Sequence, residues 1–139
     1  MKAISLLQPW ASLVGIKMIE TRSWATKYRG PLAIHASKGF SKLLRDLCNT
    51  QPFKAVLSKF GLNVDNLPLG AIVATCNLVD CIKMTPEFID FVKSAKGHEY
   101  EFGVYEVGRY AWILEDVKRL DKPIPAKGAL SLWEWEDES

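Results

Sequence analysis

Ten residues near the N-terminus combine opposite charges with an indole ring. Segment 15–24 contains Lys17, Glu20, Arg22 and Trp24. Side chains alternate between faces along a strand, so Glu20, Arg22 and Trp24 would share one face of an extended segment, with Lys17 at its entry, free to lean either way. Lysine and arginine neutralise phosphate or donate hydrogen bonds to a carbonyl group. A carboxylate positions such cations or accepts a hydrogen bond from the exocyclic amine of a base. The segment therefore predicts a binding or catalytic site, with a simple salt-bridged strand as the alternative.

Charge is distributed unevenly along the chain. Residues 1–59 hold ten lysines and arginines against two acids, whereas the remaining eighty residues hold eight bases against fourteen acids. The net charge of +2 says little about partners, but this asymmetry favours one basic surface suited to phosphates. The alternative is that the two halves interleave in the fold and neutralise each other.

Length and composition predict one domain covering 1–139. A chain of this size buries enough surface for its own core. The cysteines Cys48, Cys76 and Cys81 have neither CxxC spacing nor a histidine-rich neighbour, so we expect no disulfide framework, no metal site and no cofactor. No apolar stretch approaches the ~20 residues of a membrane helix. We expect a soluble, cytoplasmic protein that does not contact a membrane.

Short strands interspersed with helices are predicted around the charged segment. An apolar run at 3–7 predicts a buried strand, followed by a short helix from Pro9 to Val14 that Gly15 ends. Further strands are predicted at 17–24, 32–36, 70–82, 109–114 and 128–135, further helices at 41–49, 52–60 and 85–95, a loop at 97–108 and a stiff turn at 121–128. This order indicates an α+β fold in which a small curved sheet or barrel of about six strands carries flanking helices.

Three motifs resemble a known family. The sequences LLQPWASL at 6–13, GxKxxExRSW at 15–24 and YRGPLxIHAS at 28–37 are similar to the ASCH domain, the homology domain of a transcription coactivator that also has stand-alone prokaryotic relatives. Shorter matches at 70–73, 79–81, 125–128 and 132–133 extend the resemblance over essentially the whole chain. The resemblance implies a PUA-like, small open β-barrel with a cleft beside the first helix. It also implies binding of RNA, DNA or modified nucleosides, with RNA favoured over DNA.

The central motif supplies the first candidate site residues. Lys17, Glu20 and Arg22 would form the charged floor of the cleft. Trp24 and Trp10 could stack on a base, which contributes about 1 to 3 kcal/mol. Trp24 is the better candidate, because Trp10 follows a helix-starting proline and is more typical of a core position.

Further candidates lie outside that motif. Arg29 and Lys127 fall on predicted loops, from which a basic side chain can reach a backbone phosphate. Ser37 ends a buried strand and is a further binding candidate. His35 precedes it and is more typical of a buried structural histidine, which leaves it in second place.

An enzymatic function is the alternative to binding. Some small proteins that resemble this domain hydrolyse N4-acetylcytidine with a lysine, a threonine three positions later and a distant glutamate, and another is a ribonuclease. Lys17 matches the lysine, but Glu20 occupies the threonine position, and Thr21 would point to the opposite face of a regular strand. Lys17 as a base, or Glu20 activating water, still permits amide or phosphodiester hydrolysis. A protein-interaction adaptor is a third possibility and would need an exposed apolar patch.

Overall fold

The computed structural model describes residues 1–136, whose strands form one six-stranded sheet. The strands are β1 (Lys2–Leu6), β2 (Ile19–Arg22), β3 (Gly30–Ala36), β4 (Ala71–Lys83), β5 (Tyr110–Pro125) and β6 (Leu132–Glu134). The helices are α1 (Trp10–Leu13), α2 (Lys42–Leu47), α3 (Phe53–Ser58) and α4 (Pro86–Ser94). The strand order is β2-β5-β4-β3-β1-β6, in which β1 and β3 are parallel and the other neighbours are antiparallel. Within residues 1–136, no helix has the length and apolar character needed to cross a membrane.

Irregular pairing between the two longest strands gives the sheet its curvature. The register of β4 against β5 shifts at three places, between 72 and 74, 75 and 77, and 78 and 80. Such irregularities bend a strand and increase its twist. The six strands therefore curl into a half-barrel with helices on its flank, as the predicted α+β fold requires.

The hydrophobic core divides between the sheet and the helices. Ile4, Ile34 and Trp112 lie in the main cluster of buried side chains along the strands. A second cluster joins Phe53 of α3 to Leu13 of α1. Leu47 of α2 packs against the same cluster, so the apolar sides of both helices between β3 and β4 face α1, as the apolar spacing at 41–49 and 52–60 predicts.

Side-chain hydrogen bonds accompany the start of two helices. Gln8 is fully buried before α1, where its Oε1 accepts from the Ser12 backbone N–H at 3.1 Å and its Nε2 donates to Ser12 Oγ at 2.7 Å. Thr85 Oγ1 accepts from the Phe88 N–H at 3.1 Å and caps α4, which starts with Pro86. Both arrangements satisfy donors that a helix N-terminus leaves free.

Three predicted elements differ from the structure. The strand predicted at 17–24 is only Ile19–Arg22, because a turn with Gly15 at φ +103° carries the chain through Lys17 first. The turn predicted at 121–128 is wrong over its first five residues, since β5 continues to Pro125. Proline is tolerated there because, among the described residues, β2 pairs with β5 at residues 110–113 and the later residues of β5 have a neighbouring strand on one side, β4. The strand predicted at 128–135 shortens to β6, because Ser131 has φ +60°.

Candidate nucleic-acid interface

A cavity of about 1010 Å³ opens where β1 and β3 meet the connection between β5 and β6. Its lining residues come from both ends of the chain and are Ser5, Arg22, His35, Ser37, Lys38, Gly70, Pro125, Ala126, Lys127, Gly128, Ala129, Leu130 and Ser131. Arg22 belongs to β2 at one edge of the sheet, whereas residues 126–131 lead into β6 at the other edge. Curling of the sheet therefore assembles this site.

The charged side chains that line the cavity have one sign. Arg22, Lys38 and Lys127 are cations, and within residues 1–136 no aspartate or glutamate belongs to the lining. Ser37 adds a hydroxyl group beside Lys38. Guanidinium, ammonium and hydroxyl groups are the side chains that bind phosphate oxygens. The cavity is thus chemically suited to an anionic ligand.

Beside the cavity, the central motif forms a buried ion-pair network. The Lys17 side chain is only 1% exposed, and its Nζ donates to Glu20 Oε1 at 2.8 Å and to the Ile19 carbonyl at 3.1 Å. The other carboxylate oxygen of Glu20 accepts from Arg22 Nη1 at 3.3 Å. Glu20 therefore lies between two cations, and Arg22 is the member of the network that reaches the cavity wall.

Local backbone geometry explains why Lys17 points inward. The Lys17 N–H donates to the carbonyl of Leu13 at 2.9 Å, which folds the chain back against α1. The direction of the Lys17 side chain, which the sequence left open, is therefore inward. Two hydrogen bonds, one of them to the buried Glu20 carboxylate, hold its ammonium group and compensate for the cost of burying a charge.

Trp24 supports the arginine from outside the strand. Its ring packs edge-on against the fully buried Trp112 with centroids 4.8 Å apart. The Arg22 guanidinium carbon lies 5.6 Å from the centre of the Trp24 ring. Glu20 and Trp24 both contact Arg22, which agrees with the predicted shared face, and together they restrict where the guanidinium can point.

The structure brings only part of the predicted set to the cavity. Arg22, Ser37 and Lys127 line it, as does the second-place candidate His35. The predicted residues that do not line it are Lys17, Glu20, Trp24, Trp10 and Arg29.

Two of these outlying residues have local surroundings that explain their positions. Arg29 Nη1 donates to the carbonyls of Thr26 and Tyr28, and its Nη2 lies 3.6 Å from Asp80 Oδ1. Trp10 begins α1 and is half-buried. The expected charged floor of Lys17, Glu20 and Arg22 is itself reduced to Arg22, because burial and mutual pairing occupy the other two groups.

Sequence reasoning missed Lys38 and Ser5. Lys38 directly follows the candidate Ser37, so its position after the same strand was a usable signal. Ser5 is the one polar residue in the apolar run 3–7, but only the register that pairs it with His35 shows its neighbour. Ser5 Oγ and His35 Nδ1 are 2.9 Å apart, and His35 Nε2 donates to the Ala126 carbonyl at 2.8 Å.

The described part of the chain holds no arranged set of metal ligands, and two of its three cysteines are buried. Within residues 1–136, no group of three His, Cys, Asp or Glu side chains is arranged to hold a metal ion. Cys48 and Cys76 are buried, and burial raises the pKa of the Cys76 thiol to about 12. That thiol is therefore protonated near neutral pH and is a poor nucleophile.

Comparisons with known proteins identify relatives by sequence. The chain is 27% identical to Activating signal cointegrator 1 of Mus musculus over 133 residues, and 27% identical to the Homo sapiens protein of the same name over 134 residues. Each alignment covers 94% of this chain and 21% of the relative, so the chain spans about a fifth of the length of these relatives.

Solved structures share the fold. The crystal structure of ASCH from Zymomonas mobilis superposes with a TM-score of 0.55 at 16% identity, over 99% of this chain and 87% of that chain. The crystal structure of a mutant of the same bacterial protein gives a TM-score of 0.52 at 16% identity, over 99% and 90% of the two chains. These matches confirm the predicted fold, a small, open, curved sheet of about six strands with flanking helices. The model of the ASCH domain matches residues 4–124, and the chain therefore belongs to the ASCH domain family.

Proposed function

We propose that this chain binds RNA, DNA or a modified nucleoside in the basic cavity, with RNA as the favoured ligand. The observation that carries the proposal is that Arg22, Lys38 and Lys127 converge on one hollow without a carboxylate among its described lining residues. Phosphate contacts by such side chains supply most of the affinity in nucleic-acid binding. The similarity to known proteins establishes the family and the fold. We infer the ligand from the arrangement of charges in the cavity.

The site residues divide into two roles in this proposal. Arg22, Lys38 and Lys127 contact phosphate oxygens, and Ser37 contributes a hydroxyl. Lys17 and Glu20 hold the guanidinium of Arg22 in place, because Glu20 is bonded to both cations and does not line the cavity. Trp24 restricts the arginine from the other side.

The two remaining predicted residues lie outside the cavity lining. A ligand that contacts Trp10 or Arg29 would have to extend beyond the hollow. Both residues therefore serve as probes of ligand length, and neither is needed for a ligand that the cavity encloses.

The experiment measures RNA binding by fluorescence anisotropy at low salt. The probe is a fluorescein-labelled single-stranded RNA of about 12 nucleotides, a length within the usual site size of single-strand-binding domains. We expect Arg22→Ala, Lys38→Ala and Lys127→Ala each to weaken binding about tenfold. A charge-assisted hydrogen bond contributes roughly 1.5 to 3 kcal/mol, and about 1.4 kcal/mol corresponds to a factor of ten.

Lys96→Ala is the matched control. Lys96 is an exposed lysine that lies in the loop after α4 and does not line the cavity. We expect its substitution to leave affinity unchanged within about a factor of two, since non-specific charge effects are small for a single exposed residue. Absence of RNA binding at low salt, or an equal loss in Lys96→Ala, would contradict the proposal.

The alternative functions have weaker support. A hydrolase that uses Lys17 and Glu20 requires these groups to reach a substrate, but each is bonded to the other and neither lines the cavity. A protein partner would need an apolar docking face. Among the described residues, the three most exposed large apolar side chains are Leu43 on α2, Phe91 on α4 and Leu130 in the segment before β6, so these three do not define one face by themselves.

A further inference from the structure

A serine and a histidine meet at the wall of the cavity. Ser5 of β1 and His35 of β3 are register partners in the parallel pair, so their side chains point the same way. Ser5 Oγ lies 2.9 Å from His35 Nδ1, and both residues line the hollow. Because His35 is only 3% exposed, the ring is fixed by its surroundings.

The hydrogen-bond network gives the histidine one arrangement of protons. His35 Nε2 lies 2.8 Å from the Ala126 carbonyl, which can only accept, so Nε2 carries the hydrogen. Nδ1 of the neutral ring is then an acceptor, and the Ser5 hydroxyl donates to it. Trp133 Nε1 in turn donates to Ser5 Oγ at 3.3 Å. The hydroxyl proton of Ser5 is therefore directed at the imidazole.

This arrangement has the parts of an activated nucleophile. A hydroxyl is within hydrogen-bond reach of a base, and a third group orients that base. The Ala126 carbonyl takes the orienting position, where it also stabilises the positive charge that the ring acquires on taking a proton. The Trp133 N–H is placed to stabilise negative charge that develops on Ser5 Oγ.

The backbone at Gly128 packs directly against this pair. A Cβ built at this position would lie 2.5 Å from His35 Cε1 and 2.7 Å from both His35 Nδ1 and Ser5 Oγ. Any side chain at 128 would therefore collide with the pair. Only a glycine lets segment 126–131 pass this close to the two side chains while they remain part of the cavity wall.

We propose that Ser5 and His35 form a nucleophile and general base that hydrolyse carboxylic esters in this cavity. Ser5 Oγ attacks the ester carbonyl carbon as His35 Nδ1 takes the hydroxyl proton, and the bond between the carbonyl carbon and the alcohol oxygen breaks. His35 returns the proton to the departing alcohol. Water then attacks the acyl-serine while His35 takes a proton from that water, and the proton returns to Ser5 Oγ as the carboxylic acid leaves.

The charge around the pair indicates the substrate class. Arg22, Lys38 and Lys127 line the same hollow, so the ester is one borne on a phosphorylated compound such as a nucleotide. This choice of substrate rests on the proposed function, whereas the identity of the nucleophile does not.

The first test is reaction with a fluorophosphonate reagent, which phosphonylates activated serines, followed by mass spectrometry of the intact protein and its peptides. We expect one adduct, on Ser5. Ser5→Ala should abolish it, and His35→Asn should slow labelling by about 100-fold, because a positioned base contributes roughly 10²–10⁴-fold.

Two surface variants are the controls. His98→Asn changes the other histidine of the chain, which is exposed, and Ser94→Ala removes an exposed serine outside the cavity lining. Both should label at the wild-type rate. An unlabelled but folded wild-type protein, or an adduct on a different serine, would overturn the proposal. Circular dichroism establishes that each variant is folded.

The second test uses 2′(3′)-O-acetyladenosine 5′-monophosphate and the same ester without its phosphate, with acetate release as the readout. We expect hydrolysis that Ser5→Ala abolishes, and a preference of about tenfold for the phosphorylated ester that Arg22→Ala removes, as expected for one charge-assisted contact. Equal release by wild-type protein and Ser5→Ala would refute the esterase. RNA affinity of the wild-type protein is measured in parallel, so absence of hydrolysis and failure of RNA binding can be told apart.

Discussion

At the scale of single residues, burial rather than distance decides what each ion pair contributes. Lys17–Glu20 and Lys42–Asp46 both have a nitrogen-to-oxygen distance of 2.8 Å. The side chains are 1% and 10% exposed in the first pair but 89% and 62% exposed in the second. Water screens the second pair, whereas removal of Lys17 would leave a buried carboxylate with one remaining cation.

We therefore predict that Lys17→Ala lowers the free energy of unfolding by about 3 kcal/mol, the low end for breaking a buried pair, because Arg22 still neutralises Glu20. Lys42→Ala should leave stability unchanged within error. Urea unfolding followed by circular dichroism compares the two variants. Equal effects of the two substitutions would show that the buried network is not structurally important.

At the scale of elements, the segment between β5 and β6 closes one side of the cavity. The Ala126 N–H donates to the Gly70 carbonyl at 3.0 Å, and the Ala126 carbonyl accepts from His35 Nε2. Gly128 then passes directly against His35 and Ser5. These contacts fix where Lys127 leaves the backbone and so position one of the three cations.

Gly128→Ala tests this close approach. We predict a loss of about 2 kcal/mol in the free energy of unfolding, because a new Cβ must displace His35 or shift the segment, and overpacking costs roughly 1 to 3 kcal/mol. Gly39→Ala is the control, since a Cβ there meets nothing within 4 Å. Chemical denaturation measures both. A neutral Gly128→Ala variant would mean that the segment moves away freely.

At the scale of the whole molecule, the basic and acidic halves of the sequence partly interleave. Lys2 pairs with Glu134, Arg29 with Asp80 and Arg45 with Asp65, and each pair joins a base from the first half to an acid from the second. The cavity cations likewise come from both halves, because Lys127 lies beyond residue 59. A spatial cluster of three cations, rather than the sequence asymmetry, is therefore the feature that carries the binding proposal.

This cluster predicts the salt dependence of binding. Each phosphate contact on a single strand contributes about 0.7 to the slope of log K against log salt, so three cations should give a slope of roughly −2. Lys127→Ala should reduce its magnitude by about 0.7, and Lys96→Ala should not change it. Anisotropy titrations between about 50 and 200 mM salt provide the slopes. A slope near zero for the wild-type protein would contradict the model of phosphate contacts.

Hydrophobic patterning was sufficient for most of the elements. Buried runs marked β1, β3 and β4, and helical spacing or caps marked all four helices, because these signals are local. The later half of β5 escaped prediction since Pro123 and Pro125 read as a turn. Proline fits into this part of β5 because one side of the strand needs no N–H donor there, and that depends on how the sheet is assembled.

The sequence by itself determined the family and the curved α+β sheet, and it identified Arg22, Ser37 and Lys127 as candidates. Only the tertiary structure decided that Lys17 and Glu20 are buried beside the cavity, that Lys38 lines it, and that Ser5 meets His35. The physical reason is that residue type and local spacing fix which groups a segment can present. Which groups face one another depends on the strand order and curvature of the sheet. Both bring together residues as far apart in the sequence as Arg22 and Lys127.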